Sequence, residues 1–424
     1  MASPPPLLCV STSAYVPEPS GSSRVPAVLA LADDLSGAAE VACALGGAVR
    51  LSLTARAVAD GAAVPRDLVV DLDTRHLLPD EAADAVRAAL GAARGGPARL
   101  LFKKVDSQLR GNLAAETAAY AEGADAVVIA PALPAARRTV VGGVVHLDGV
   151  PLHGTDGWRA EGATAPRSIP EALTGMAVRT VPLDVVRSER GALDAEFRRI
   201  AAAGAHPAPD AETDADLAAI AAATLRLGPR FRLLGSGGLA AALGRALART
   251  SASDAHALPP PAPKTAPLLF VIGTAEPVAV AQIAQLTALG AHHVTVDPDE
   301  LAAGTARLPA DIGTAPTVLS IDGSAGLRPR TGRVLSAALA ALAVQHPGRP
   351  DLVLTGGETA RATLDALAIR ELVPLGEIHH GAVHSRTPDG RSVVTRPGSF
   401  GAEDSLHRIA TALRPELLAP AAHA

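Results

Sequence analysis

A chain of 424 residues suggests two or three domains, and 48% hydrophobic residues give it material for a large core. Aromatics make up only 2%, so that core is built from Ala, Val and Leu. A net charge of −5 with scattered charges offers no basic face to nucleic acid, and no apolar run is long enough to cross a membrane. Two cysteines, Cys9 and Cys43, make neither a disulfide framework nor a metal site, so a reducing cytoplasm is the expected location.

Residues 1–25 are rich in Pro and Ser; their apolar LLCV is too short for a signal-peptide core, and the stretch reads as a disordered leader. Ala27–Ala32 reads as a strand that ends in Asp33 and Asp34, followed by Leu35-Ser36-Gly37 and a helix over Ala38–Leu45. Two acids at a strand end cap a helix, bind a metal or grip hydroxyls; capping explains one more easily than two. Asp67–Asp73 is the next strand, with Thr74-Arg75-His76 at its tip. Arg75 is a candidate for forked contact with a carboxylate, against the plainer reading of an exposed loop arginine. A helix is expected over Asp80–Ala93.

Leu100–Glu116 is the stretch richest in chemistry. An apolar strand, Leu100–Phe102, runs into a charged turn with Lys103, Lys104, Asp106, Ser107 and Arg110, and Gly111-Asn112 leads into a helix. Such a turn lies at the carboxyl edge of a sheet, where open α/β sheets bind ligands. The cations suit an anionic substrate, and Asp106 among them suits a general base; a solvated salt-bridge turn is the competing reading.

Ala126–Ala130 is a strand closed by Pro131, and residues 142–155 read as a hairpin turning at Asp148-Gly149. His153 reads as a satisfied structural histidine, since no second ligand lies at metal spacing. The acids of 210–217 read as a solvated helix start. Phe231–Leu234 runs into Gly235-Ser236-Gly237-Gly238-Leu239-Ala240, a formal but weak match to the dinucleotide fingerprint, because Asp254 is not on a strand. The glycines read better as sites of close backbone approach.

The Ser/Ala/Pro segment over 251–266 reads as a linker. It divides a substrate domain, 26–250, from a nucleotide domain, 267–424. In the second, Leu268–Ile272 leads into Gly273-Thr274, Leu352–Leu354 into Thr355-Gly356-Gly357-Glu358-Thr359, and Ser392–Val394 into Thr395-Arg396-Pro397-Gly398-Ser399-Phe400-Gly401. Glycines between a strand and a helix N-terminus free N–H groups for phosphate. Three such turns without a Walker lysine suggest a nucleotide held by backbone. The expected fold is α/β, two domains each with a largely parallel sheet flanked by helices, and the active site in the cleft between them.

Seven segments carry a family resemblance: ADDLSGA (32–38), DTRH (73–76), KKVDSQLRGN (103–112), APALPAARRTVVGG (130–143), GSGGLA (235–240), TGGET (355–359) and RPGSFGAEDSL (396–406). In this order the chain resembles the four-carbon acid sugar kinases, or tetronate kinases, over about residues 28–410. The resemblance implies ATP-dependent phosphorylation of the C4 hydroxyl of threonate, erythronate or 3-oxo-tetronate. It places Asp34, Arg75, Lys104, Val105, Asp106 and Ser107 at the acid-sugar site, with Arg110 beside them. Thr274, Gly356, Gly357, Glu358, Thr359, Gly398, Ser399, Phe400 and Gly401 fall at the ATP site. Ser36 stands where the family usually has Thr, Glu358 where Asp is usual, and Arg396-Pro397 where Lys-Ser is common.

The mechanism so implied has Arg75 and Lys104 holding the carboxylate and hydroxyls, and Asp106 or Asp34 taking the C4 proton, Asp106 being preferred. Phosphoryl transfer needs mainly positioning and charge neutralisation, so Mg²⁺ is expected to arrive with ATP, and no residue is assigned to a metal. Partners are then the sugar acid and ATP, with no nucleic acid and no membrane; a homodimer is left open. One rival is a non-catalytic sugar-acid binder, suggested by the altered Arg396–Ser399 segment. The other is a nucleotide-dependent dehydrogenase resting on Gly235–Ala240.

Overall fold

The computed structural model describes residues 26–59, 67–94, 99–159, 161–189, 191–247, 266–274, 277–309, 312, 315–323, 332–398 and 401–415. The expected leader, nearly all of the expected linker, and Ser399 and Phe400 lie outside them.

The first half supplies strands β1 (Ala27–Ala32), β2 (Val49–Ser52), β3 (Asp67–Asp71), β4 (Arg99–Lys104) and β5 (Ala126–Ala130). A small antiparallel sheet follows, β6 (Arg138–Val141), β7 (Val144–Leu147) and β8 (Val150–Pro151), then a parallel pair, β9 (Val178–Val181) and β10 (His206–Pro209), and β11 (Phe231–Gly235). The second half supplies β12 (Leu268–Ile272), β13 (His292–Val296), β14 (Thr317–Ile321), β15 (Asp351–Thr355), β16 (Glu371–His379), β17 (Ala382–Arg386) and β18 (Ser392–Arg396).

Thirteen of these form one sheet, in the order β13-β14-β12-β15-β18-β17-β16-β2-β3-β1-β4-β11-β5. From β2 to β5 every pairing is parallel, as is every pairing from β13 to β18. Two-sided cover by helices explains why β1, β5 and β12 are apolar along their whole length. Between the two parallel blocks lie β17 and β16, both antiparallel to their neighbours. Glu371 and Leu372 pair with Ser52 and Leu51 of β2, whereas Val373–His379 pair with β17 across two irregularities. One strand thus passes from one half of the molecule to the other.

Register aligns the strand ends. Ala32 of β1 pairs with Asp71 of β3 and with Lys104 of β4, and Lys104 pairs with Gly235 of β11. The residues that follow β1, β3 and β4 therefore emerge along one edge. The glycines of 235–238 serve packing. A Cβ on Gly235 would lie 2.3 Å from the Ala130 carbonyl oxygen, and one on Gly237 2.0 Å from Glu40 Oε1. The helix Gly237–Ala246 is drawn against the helix Leu35–Leu45, where a Cβ on Gly244 would meet the Ala44 carbonyl oxygen at 2.4 Å. The fingerprint reading fails because these contacts fill the space a pyrophosphate would need.

Three local expectations are corrected. β4 runs through Lys103 and Lys104 rather than turning before them, and its alternation sends the two lysines to opposite faces. Asp210 and Asp216 are buried, not solvated: Asp210 accepts from the Gly142 and Gly143 amides, and Asp216 is gripped by Arg187 and by the backbone of its helix start. His153 is exposed on a short helical turn.

Candidate active site

The chain leaves β1 through two acids that share Arg75. Asp33 is buried, and its Oδ2 accepts from Arg75 Nε and Nη2 at 3.0 and 2.9 Å. Asp34 caps the helix Leu35–Leu45, with Oδ1 accepting from the Gly37 amide at 2.9 Å. Its Oδ2 lies 3.2 Å from Arg75 Nη1.

Arg75 reaches this position because Asp73 turns with φ of +50° and the backbone amides of Thr74 and Arg75 bond the Asp33 carbonyl. Beneath it, Thr74 donates to Glu116 Oε1 at 2.7 Å, and Glu116 Oε2 meets Lys103 Nζ at 2.6 Å, both charges being buried. Asn112 donates to the carbonyls of Thr74 and Leu77. Lys103, Glu116 and Asn112 thus hold the Arg75 turn from below and do not face the cavity.

On the other face of β4, Lys104 Nζ lies 3.4 Å from Glu40 Oε2. Burial opposes its charge, but Glu40, Asp34, Asp33 and Asp106 outweigh that and raise its pKa. Asp106 follows, with both oxygens taken by Arg110: Nε to Oδ2 at 2.6 Å and Nη2 to Oδ1 at 3.0 Å. Burial would push Asp106 up, yet the Arg110 guanidinium, with Arg75 and Lys104 beyond it, holds its carboxyl well below the usual carboxylate range. Ser107 accepts from Arg138 Nη1 at 2.5 Å. Trp158 Nε1 donates to the Gln108 carbonyl and fixes the turn.

The second half brings glycine turns to the same place. Gly356, with φ of +92°, leads into the helix Gly357–Ala366, whose first amides point outward. A Cβ on Gly357 would lie 3.3 Å from Asp34 Oδ2 and 3.4 Å from Ser36 Oγ, a hydroxyl with no partner among the described residues. A Cβ on Gly273 would collide with Thr359 Oγ1, and one on Gly398 would lie 3.0 Å from Thr274. Arg396 is buried behind the turn, its Nη1 2.6 Å from Ser405 Oγ, so its bulk relative to Lys falls in the core.

One cavity of about 300 Å³ is lined from both halves. Of the expected residues, Asp34, Arg75, Lys104, Asp106, Ser107 and Arg110 line it, as do Thr274, Gly356, Gly357 and Gly398. Val105 and Thr359 are buried behind the wall, and Glu358 and Gly401 stand outside the lining. The expectation missed Ser36, Gly37, Glu40, Gln108, Leu133, Arg138, Pro397 and Gly381 as lining residues. Glu40 had a signal, as the lone charge in the apolar helix LSGAAEVACAL; so had Arg138, one of two arginines after a strand end. Gly381 had none, since it turns β16 into β17.

Residues 28–243 match the family described as a sugar-binding N-terminal domain, and residues 269–406 one described as a nucleotide-binding C-terminal domain. A D-threonate kinase of Cupriavidus necator is 38% identical over 407 residues, covering 89% of this chain and 96% of its own. A D-threonate kinase of Bordetella bronchiseptica is 33% identical over 411 residues, covering 91% and 96%. A crystal structure from Salmonella typhimurium LT2 shares the fold, with a TM-score of 0.72 at 22% identity over 90% of this chain and 98% of its own.

Proposed function

The chain belongs to the four-carbon acid sugar kinase family, and on that premise we propose that it moves the γ-phosphoryl group of ATP to the C4 hydroxyl of D-threonate. It is a kinase of four-carbon sugar acids, a phosphotransferase with an alcohol acceptor, and it uses ATP. The observation that carries the finer reading is the single cavity in which acid-binding cations and glycine turns face each other.

In our reading residues 26–250 hold the acid and residues 267–424 the nucleotide. Lys104, Arg75 and Arg138 take the carboxylate and hydroxyls, while the amides at the start of the helix Gly357–Ala366 take the phosphates. Asp34 is the general base. Its Oδ2 lies beside Gly357, where the γ-phosphate would sit, and has one longer ionic contact, 3.2 Å to Arg75 Nη1, whereas both oxygens of Asp106 are gripped by Arg110 at 2.6 and 3.0 Å. Asp106 instead orients Arg110. In-line attack then needs positioning and charge neutralisation more than covalent help.

Among the described residues no cluster of three His, Cys, Asp or Glu could cage a metal. Mg²⁺ is commonly held chiefly by substrate phosphates, so it would enter on ATP without a dedicated protein cage. Bound with ATP, the ion would neutralise phosphate charge. ATP as donor makes the cytoplasm the expected compartment.

An assay coupled to ADP release, run on a panel of D-threonate, erythronate and 3-oxo-tetronate, tests the reading. ADP release fastest with D-threonate is the expected result. Release with another of these acids would reassign the substrate; binding of an acid without any release would mean a binding protein that has lost turnover.

A further inference from the structure

A second and larger cavity, of about 570 Å³, lies at the opposite end of the strands from the cleft. Arg99 opens β4 and Arg232 lies one residue into β11, so this cavity sits at the amino-terminal edge of the sheet. The helices Pro79–Ala93 and Leu113–Ala121 close over it. The odd positions of β4 turn to this side: Arg99 and Leu101 line the cavity, and Lys103 meets Glu116 farther along.

Four arginines line it, Arg87, Arg94, Arg99 and Arg232, against one carboxylate, Glu122. That carboxylate is spoken for. Arg87 Nε donates to Glu122 Oε1 at 2.7 Å, and Arg87 Nη1 to Asp84 at 2.9 Å. Arg232 bonds the Tyr120 carbonyl and stacks over the Tyr120 ring at 5.5 Å, which leaves its charge unmatched. Neither Arg94 nor Arg99 has a carboxylate partner among the described residues. The Nε atoms of Arg99 and Arg232 are buried with no acceptor.

Four guanidinium groups around one already paired carboxylate leave the cavity with an excess of positive charge. Burial pulls Arg99 below its ordinary value, and for Arg232 burial is joined by repulsion from Arg94. A purely structural arginine would extend its head to water, as the exposed Arg94 does. Arg99 and Arg232 instead lie half-buried along the cavity wall. The remaining wall is apolar: Leu90, Ala93, Leu101 and Ala119.

We propose that this cavity is a binding site for a small phosphate-bearing anion, separate from the catalytic cleft. Three unmatched guanidinium groups suit a dianionic phosphate better than a single carboxylate, and their fork geometry fits its oxygens. The apolar wall accommodates the carbon body of an ester.

Calorimetric titration of the full chain with pyrophosphate tests this, with the cleft already filled by a non-hydrolysable ATP analogue and a four-carbon acid. One binding event per chain is expected. Arg99→Met should weaken it at least tenfold while leaving kcat and KM unchanged without pyrophosphate, and the unliganded variant should melt higher, having lost an unpaired charge. If Arg99→Met does not fold, Arg94→Met on the exposed rim should weaken binding severalfold. Repeating the titration with the enzyme's own phosphorylated product tells the source: tighter binding than pyrophosphate points to the product, weaker binding to an inorganic anion. No heat beyond that of the filled cleft, or equal binding in wild type and the folded variant, would overturn the site.

Discussion

Asp33 and Asp34 share Arg75 at one strand end, and their remaining contacts separate their roles. Asp33 gives its Oδ2 to Arg75 and is held in its charged form: burial works against that charge, but Arg75, Lys103 and Lys104 outweigh burial. Asp34 spends one oxygen on a helix cap; the other lies between Arg75 Nη1, at 3.2 Å, and Gly357. Asparagine caps a helix nearly as well as aspartate, so Asp34→Asn tests the proton acceptor without removing the cap. The expected outcome is a fall in kcat of about a hundredfold or more, with KM for the acid within about threefold, since a general base contributes roughly 10²–10⁴. Asp106→Asn should behave differently. It leaves Arg110 without its charged partner, a loss of about 1.5–3 kcal/mol, and should appear as a KM raised roughly ten- to a hundredfold with a smaller change in kcat. Steady-state kinetics of both variants decide the matter; the opposite pattern would return the base to Asp106.

The helix Gly357–Ala366 serves two places at once. Its first turn faces the cleft, and Arg361, one turn later, reaches across to the first half. Arg361 meets Asp71 Oδ2 at 2.8 Å and the Leu53 carbonyl at 3.0 Å. Burial lifts Asp71 to about 7, against the pull of Arg361 and with help from Asp73. A carboxyl raised in the folded state binds its proton more tightly there than in the unfolded chain. Its contribution to stability is therefore fullest below the ordinary value of 3.8 and is lost as pH rises toward about 7. Thermal unfolding of wild type and Asp71→Asn across pH should show wild type losing ground to the variant between about 4 and 7 and holding level above that; parallel curves would mean that Asp71 is ionised throughout. This clasp was not legible in the sequence, because Asp71 and Arg361 are 290 residues apart and each looks locally ordinary. What was legible were strand ends. AVLALA into Asp33-Asp34, AVVIA into Pro131, and LLFVI into Gly273 announce themselves because a two-sided strand is apolar until it reaches the edge, and there chemistry begins. Lys103 broke that rule: a charge read as the start of a turn is a buried strand residue, neutralised by Glu116 from a helix beyond the turn. β16 and β17 gave no apolar run of this kind, since half-buried strands with Pro374 and Gly376 resemble loop.

The two halves share a sheet and one apolar core, and the helix Leu35–Leu45 of the first packs on β16 and on the helix Gly357–Ala366 of the second. Along the seam between them, two residue pairs join β16 to β2, the Leu53 amide bonds the Arg370 carbonyl, and Arg50 meets Glu371 at 2.9 Å in partial exposure. The partly exposed ion pair adds little; the packing of the helix Leu35–Leu45 and the Arg361 clasp carry more of the connection. Across the cleft, the groups we assign to the acid come from the first half and those assigned to the nucleotide from the second, and they line one cavity. A ligand on either wall restrains the seam, and the next ligand meets a partner face whose ordering is already done. The two substrates should therefore bind cooperatively. By linkage the factor is the same in both directions: a non-hydrolysable ATP analogue should tighten sugar-acid binding about 5- to 150-fold, and the acid should tighten the analogue equally. Calorimetry with each ligand alone and in the presence of the other measures both arms of the cycle. Arg361→Ala, which frees the seam without touching either ligand's groups, should change the factor while leaving the weaker, single-ligand affinities near their original values. Equal affinities with and without the second ligand would show that the halves bind independently and that the seam transmits nothing between them.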